Sequence, residues 1–343
     1  MKPNFKPVGE QVIVITGASS GIGLATARSA AKQGARLVLV SRNDEALQSL
    51  EAEIKAAGGE ALHLAGDVGS RADMDQVATA AVTRFGGIDT WVNNAGVSIY
   101  GRLTEVTEED NQRLFQTNFW GVVNGSLAAI PHLRANGGAL INLGSVLSDQ
   151  AAPLQGMYSA SKHAVKGFTD ALRMELEDEG LPISVTLIKP AAIDTPYPQH
   201  ARNYTAQEPG LPPPVYRPEE VARAILYAAT HVKRDIYVGS GARAMSLMNR
   251  ALPRAMDRVS ERYMIPNQLR NEPAREPEGA LHRAGVGGRV RGDHPGYVMR
   301  SSWYTEASMH PVLTGAILGA ASVAAVALLT TRRENHRPAR GLD

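Results

Sequence analysis

Tyr158 and Lys162 stand four residues apart in Tyr158-Ser159-Ala160-Ser161-Lys162. On a helix that spacing stacks them on one face and sets an ammonium beside a phenol. Moving a phenol's titration from near ~10 to neutrality takes ~4 kcal/mol of differential stabilisation. A positive charge at ~4 Å in an effective dielectric of ~20 supplies about that much. Tyr158 is thus a candidate general acid and base. Ser145 ends the run Ile141-Asn142-Leu143-Gly144-Ser145, thirteen residues before Tyr158, where its hydroxyl could hold a substrate oxygen while the phenol moves the proton. Alone, a Tyr-x-x-x-Lys pair is also an ordinary surface pair on a helix.

A second cluster could bind an anion. Thr16-Gly17-Ala18-Ser19-Ser20-Gly21-Ile22-Gly23 follows the first apolar run and opens a helical pattern. Gly17, Gly21 and Gly23 let the backbone approach a pyrophosphate, and the free N–H groups of the helix N-terminus favour its charge. At the end of the second run the chain reads Val40-Ser41-Arg42-Asn43. No carboxylate stands there to accept from a ribose hydroxyl, and Arg42 can clamp a 2′-phosphate, so NADP(H) is expected over NAD(H). The alternative for Arg42 is a solvated surface charge.

The elements that must position these residues alternate. Short β-branched runs at Val12–Ile15, Leu37–Val40, Thr90–Val92, Leu140–Leu143 and Ile183–Ile188 are separated by amphipathic stretches such as Asn43–Ala57 and Arg71–Phe85. Near-continuous apolar strands between helices predict an α/β doubly wound parallel sheet. Residues 196–218 carry seven prolines and no clear period. They predict a loop at the carboxyl edge of the sheet, placed to cover a ligand or serving as a connection.

Taken together, the glycine loop, Ser145 and the Tyr158/Lys162 pair make the first 240 or so residues resemble an ordinary, non-extended short-chain dehydrogenase/reductase. The resemblance implies a Rossmann-type fold with seven strands and an alcohol/carbonyl oxidoreductase acting on a small-molecule substrate. It implies that Ser19, Ser20, Ile22 and Ser41 line the nucleotide site and that Asp67-Val68 contacts the adenine, although Asp67 reads equally well as a helix N-cap. Asn93-Asn94-Ala95-Gly96 matches the family's motif, with Asn94, Ala95 and Gly96 at the cofactor. By the same resemblance Asn118 is a fourth catalytic residue holding a proton-relay water. Lys162 would also bind the nicotinamide ribose, and Thr195 the carboxamide. The family usually has Pro-Gly where this chain has Pro190-Ala191, and an alanine would be strained there if φ were positive.

Composition excludes several classes. The chain has no cysteine, so disulfides, thiolate nucleophiles and zinc-thiolate sites are ruled out, and the histidines form no ligand cluster, so no metal is assigned. A net charge of +2 argues against a nucleic-acid partner. Beyond residue 240 lies an arginine-rich extension over 241–311. There Met245, Met248, Leu252, Met256, Val259 and Tyr263 face one way and Arg250, Arg254, Arg258 and Arg262 the other, a pattern fit for an anionic membrane surface or for packing on protein. Residues 312–331 carry no charge and are long enough to span a bilayer, to lie in its interface, or to pack as a buried helix away from any membrane, before a basic tail at 332–343. A span would set that tail and the NADP-binding domain, expected in the cytoplasm, on opposite sides, against the charge rule. The substrate is lipophilic if that membrane contact exists, and a homo-oligomer is expected. The rival readings are a catalytically idle nucleotide sensor or scaffold on the same fold and a sugar-nucleotide epimerase, whose glycine spacing differs.

Overall fold

A strand that is apolar on both faces needs a helical layer on each side, and the chain provides them in turn. The computed structural model describes residues 3–240, 248–249, 251–310 and 314. β1 (Val12–Thr16) leads into α1 (Gly21–Ala31), then β2 (Arg36–Ser41), α2 (Asp44–Ala56), β3 (Glu60–Ala65), α3 (Arg71–Phe85) and β4 (Thr90–Asn93). α4 (Glu108–Phe115) runs through a π-turn at Gln116–Trp120 into α5 (Gly121–Asn136). β5 (Gly138–Leu143), α6 (Gly156–Asp178), β6 (Ile183–Pro190), α7 (Pro218–Ala228) and β7 (Asp235–Val238) follow.

The seven strands form one parallel sheet in the order β7-β6-β5-β4-β1-β2-β3, the doubly wound arrangement expected. Successive residues of a strand point to opposite layers. Ile13 and Ile15 of β1 therefore join Leu24 and Ala27 of α1, and Leu47 and Leu50 of α2. Val14 faces the other way, onto Met74 and Val77 of α3 and Leu133 of α5. Chain order reverses between β1 and β4, so a crevice opens there at the carboxyl ends of the strands.

The helix starts were legible because their caps are local. The side chains of Asn43, Ser70 and Thr107 accept from Ala46, Asp73 and Asp110 N–H at the starts of α2, α3 and α4. Ser70, not Asp67, caps α3. Ala191 carries no strain, since Leu154 is the one non-glycine residue with positive φ among those described.

The extension packs on this body. Leu269–Pro273 pairs antiparallel with Gln207–Pro209, and Val298–Met299 pairs with Val215–Tyr216. α8 (Pro253–Val259) continues into a second π-turn at Ser260–Met264, and α9 (Trp303–Met309) buries Thr305 and Met309. The apolar row expected here is split: Met256 and Met264 are buried, while Met248, Leu252, Val259 and Tyr263 are exposed. The wider π-turn rotates the face, so Met264 rather than Tyr263 points inward. Arg254, Arg258 and Arg262 are exposed, as expected, whereas Met245 and Arg250 lie outside the described residues. No helix among the described residues is long and apolar enough to cross a membrane. The apolar segment 312–331 lies outside them except for Thr314.

Candidate active site

The crevice holds two clefts that share Ile22, Asn94, Gly96, Thr195 and Tyr197. The first, about 1010 Å³ and open to solvent, runs along the glycine loop past Ser41, Arg42, Asp67 and Val68. The second, about 940 Å³, reaches Ser145, Tyr158 and Lys162.

The glycine loop is locked from below. Asn94 Nδ2 donates to the carbonyls of Thr16 (2.9 Å) and Gly17 (3.2 Å), while Asn94 and Ala95 N–H groups donate to Thr16 Oγ1 (3.0 and 3.1 Å). Gly17 has φ +67°, and a Cβ there would lie 2.8 Å from Ala95 Cα, so only glycine fits. Asn93 is buried and spent on Ser126, Asn142 and Val122. The Ser20 side chain makes no capping bond to α1, unlike the caps of α2, α3 and α4. Gly21 N–H, the first donor of α1, goes to Arg289 O at 2.9 Å, and the N–H groups of Ile22 and Gly23 that follow have no side-chain cap, as an anion requires. Gly23, packed on Gly17, holds α1 against the loop.

Around the adenosine end, Asp67 accepts from Gly69 N–H at 2.9 Å and pairs with Arg113 at 2.6 Å. Val68 packs on Gly121, and its carbonyl accepts from Asn124 at 3.0 Å. Arg42 donates to the carbonyls of Ala280 (2.5 Å) and Leu281 (3.0 Å), so two of its five donors serve the extension. These residues fit a nicotinamide dinucleotide: the start of α1 would hold its phosphates and Arg42 would stand at its adenosine ribose.

At the other end, four elements converge on the phenol. Ser145 follows β5 and starts a short helix at Val146–Ser148; its Oγ accepts from Leu147 N–H at 3.1 Å, which leaves the hydroxyl proton for Tyr158 or a substrate oxygen. Tyr158 and Lys162 stand on α6 as the spacing predicted. Lys162 Nζ lies 5.6 Å from the centre of the Tyr158 ring and donates to Leu143 O at 2.8 Å. Asn118 sits in the π-turn, and its amide clasps Val97 from both sides (2.8 and 3.0 Å) and reaches Ser161 at 3.2 Å. A Cβ on Gly96 would lie 3.5 Å from Asn118 Oδ1 and 3.9 Å from Lys162 Nζ, so these three meet at one point. Thr195 is buried at the start of the lid, over Gly21.

Residues that sequence spacing did not single out complete the site. Tyr197, in the lid, donates to Ser98 Oγ at 2.7 Å and accepts from Gln155 at 3.2 Å. Its ring meets that of Tyr158 edge-on, with centroids 5.6 Å apart. The wall opposite is apolar, with Leu147, Leu211, Pro212 and Met264. The proline-rich context marked the lid but not which of its side chains turns inward.

Electrostatics differ from the expectation. Burial raises the Tyr158 pKa above its ordinary value, against hydrogen bonds from Tyr197 and Ser145 that lower it. Burial also brings Lys162 down from 10.5 to about 8. Desolvation therefore outweighs the attraction that a ~4 Å contact would have given. A stability test follows. The unfolded chain keeps the lysine proton up to 10.5 and the folded chain only to about 8, so the cost of the buried charge is complete below pH 8 and is relieved as pH rises to 10.5. Chemical denaturation without added nucleotide should show the stability of the unaltered protein, relative to Lys162→Met, rising across that window. A pH-independent difference would contradict it.

Residues 11–205 match the family model for short chain dehydrogenase. The chain is similar to the uncharacterized oxidoreductase YxnA of Bacillus subtilis (strain 168), 46% identical over 321 residues that cover 92% of this chain and 90% of the relative. It is also similar to the uncharacterized oxidoreductase Lin0452 of Listeria innocua serovar 6a, 39% identical over 189 residues covering 55% of this chain and 76% of that one. Among solved structures, a short chain dehydrogenase/reductase from Burkholderia phymatum in complex with NAD matches with TM-score 0.64 and 28% identity, covering 70% of this chain and 93% of the other. An alcohol dehydrogenase from the archaeon Thermococcus sibiricus complexed with 5-hydroxy-NADP matches with TM-score 0.59 and 26% identity, covering 66% and 95%. The similarity to YxnA takes in most of the extension, which lies beyond the family model.

Proposed function

Because the chain belongs to the short-chain dehydrogenase/reductase family and is an oxidoreductase acting on CH–OH groups, we propose that it interconverts a lipophilic alcohol and its ketone or aldehyde with NADP(H). What carries this reading is that Ser145, Tyr158 and Lys162 line one cleft, and that this cleft, with an apolar wall, joins the nucleotide-shaped one at Asn94, Gly96 and Tyr197. A nicotinamide dinucleotide supplies the hydride donor or acceptor and, when oxidised, a positive charge. Ser145 would hold the substrate oxygen through its free hydroxyl proton. Tyr158 would give the proton to that oxygen in reduction and take it in oxidation. Lys162 and Asn118 would return the proton towards solvent beside Gly96. Arg42 and the absence of a carboxylate after β2 favour a 2′-phosphate, and the relatives' ligands include both NAD and an NADP derivative. Substrate wall residues Leu147, Leu211 and Met264 favour an apolar body on the carbonyl.

The test is NADPH oxidation with a panel of ketones and aldehydes of increasing apolar length. Turnover should rise with length, and activity confined to short, charged carbonyls would count against the reading. A second test concerns the lid. Tyr197 acts as a positioning residue whose hydroxyl lowers the phenol's pKa, and stabilising a charged group through a hydrogen bond is worth ~1.5–3 kcal/mol, or ~1–2 pH units. Tyr197→Phe should therefore slow alcohol oxidation about tenfold and move the rising limb of its pH–rate profile, set by deprotonation of Tyr158, to higher pH. A slower rate with an unmoved profile would mean that Tyr197 only fills space.

A further inference from the structure

The extension crosses the nucleotide cleft. Leu281 is fully buried with Val97, Ile99 and Leu114, and Val290 packs on the main core. Between these two anchors no residue is buried, and Val286 is 71% exposed. The span is held by hydrogen bonds. Asn43 Nδ2 donates to Gly285 O (2.8 Å), Gly288 N–H to Ser19 O (2.9 Å) and Gly21 N–H to Arg289 O (2.9 Å). At its near end, Ala280 and Leu281 carbonyls accept from Arg42, and Leu281 O also from Arg113 at 3.3 Å. The segment therefore ties together the glycine loop, the start of α2 and the arginine expected to hold a 2′-phosphate.

It passes very close. A Cβ on Gly287 would lie 2.2 Å from Ala46 Cβ and 3.3 Å from Ser19 O. Yet Ala280, Ala284 and Gly285 line the same open cleft as Gly17, Ser19 and Ile22. The space lies between loop and segment, so the segment roofs the cleft and does not fill it. A roof fixed at two apolar anchors, and held between them by hydrogen bonds, the His282–Asp110 pair (2.6 Å) and the close pass of Gly287 over Ala46, can lift without unpacking the core.

We propose that residues 282–289 form a strap that must lift for the dinucleotide to exchange. This rests on the nucleotide reading of the cleft. The strap's exposed face offers a probe, because the chain has no cysteine and a fluorophore on Val286→Cys reports its motion alone. Stopped-flow release of NADPH is measured on the full chain, unaltered and as Gly287→Val, which pushes the strap off Ala46. Release should quicken at least tenfold in Gly287→Val while single-turnover reduction of a ketone at saturating NADPH stays within about twofold. The label on Val286→Cys should change at the release rate. Unchanged release from a folded Gly287→Val, faster association with unchanged release, or a label signal unrelated to release would each overturn the strap. If Gly287→Val fails to fold, the labelled protein decides. Failure of the unaltered protein to bind NADPH or NADH in an equilibrium titration would instead overturn the nucleotide reading itself.

Discussion

Tyr158→Phe should lower kcat by ~10³-fold, within the ~10²–10⁴ range of general acid–base catalysis, while leaving NADPH binding unchanged. The phenol lines the cleft with Ser145 and Lys162, and phenylalanine keeps the ring packing on Tyr197. The loss should therefore fall on kcat and kcat/KM alike, as for an interaction made in the transition state. Steady-state kinetics with fluorescence titration of NADPH checks this. A variant within tenfold of the unaltered rate would remove Tyr158 from the chemistry.

The second large effect concerns cofactor choice. Arg42→Asp should cut kcat/KM for NADPH about 10²-fold, since a charged hydrogen bond of ~1.5–3 kcal/mol is lost and a carboxylate then faces the phosphate. With NADH the value should hold within about threefold or rise, because an acidic residue there accepts from the ribose hydroxyls. Arg42 also ties the extension through Ala280 and Leu281, so thermal unfolding of the variant is measured alongside. Equal losses with both cofactors would assign the arginine to structure and not to recognition.

The legible parts of the molecule are those encoded locally. β1 and β2 announce themselves by β-branched runs, and α3 begins and ends at the residues its pattern predicted, Arg71 and Phe85. The Tyr158/Lys162 pair is one helical step apart, and the glycine loop is one turn. Ser145 and Asn118 came from resemblance and spacing, and the fold brings both to α6. The balance of charge was not legible, because burial, which lifts Tyr158 and depresses Lys162, depends on walls drawn from distant segments. Nor was the strap. Arg42 meets backbone carbonyls 238 and 239 residues further along, and any residue type offers a carbonyl. The run Gly285-Val286-Gly287-Gly288 reads as a linker, although the same density of glycine in the first loop signalled close backbone approach. Tyr197 was hidden likewise, since an aperiodic, proline-rich lid does not say which side chains face inward.

The most direct measurement follows the hydride. With NADPH deuterated at the transferable position of the nicotinamide ring and a lipophilic ketone as acceptor, mass spectrometry of the product should find one deuterium on the former carbonyl carbon, and none when Tyr158→Phe replaces the unaltered protein over the same time. An alcohol product free of deuterium, or equal labelling by the variant, would contradict proton transfer by Tyr158 coupled to hydride transfer from the nucleotide.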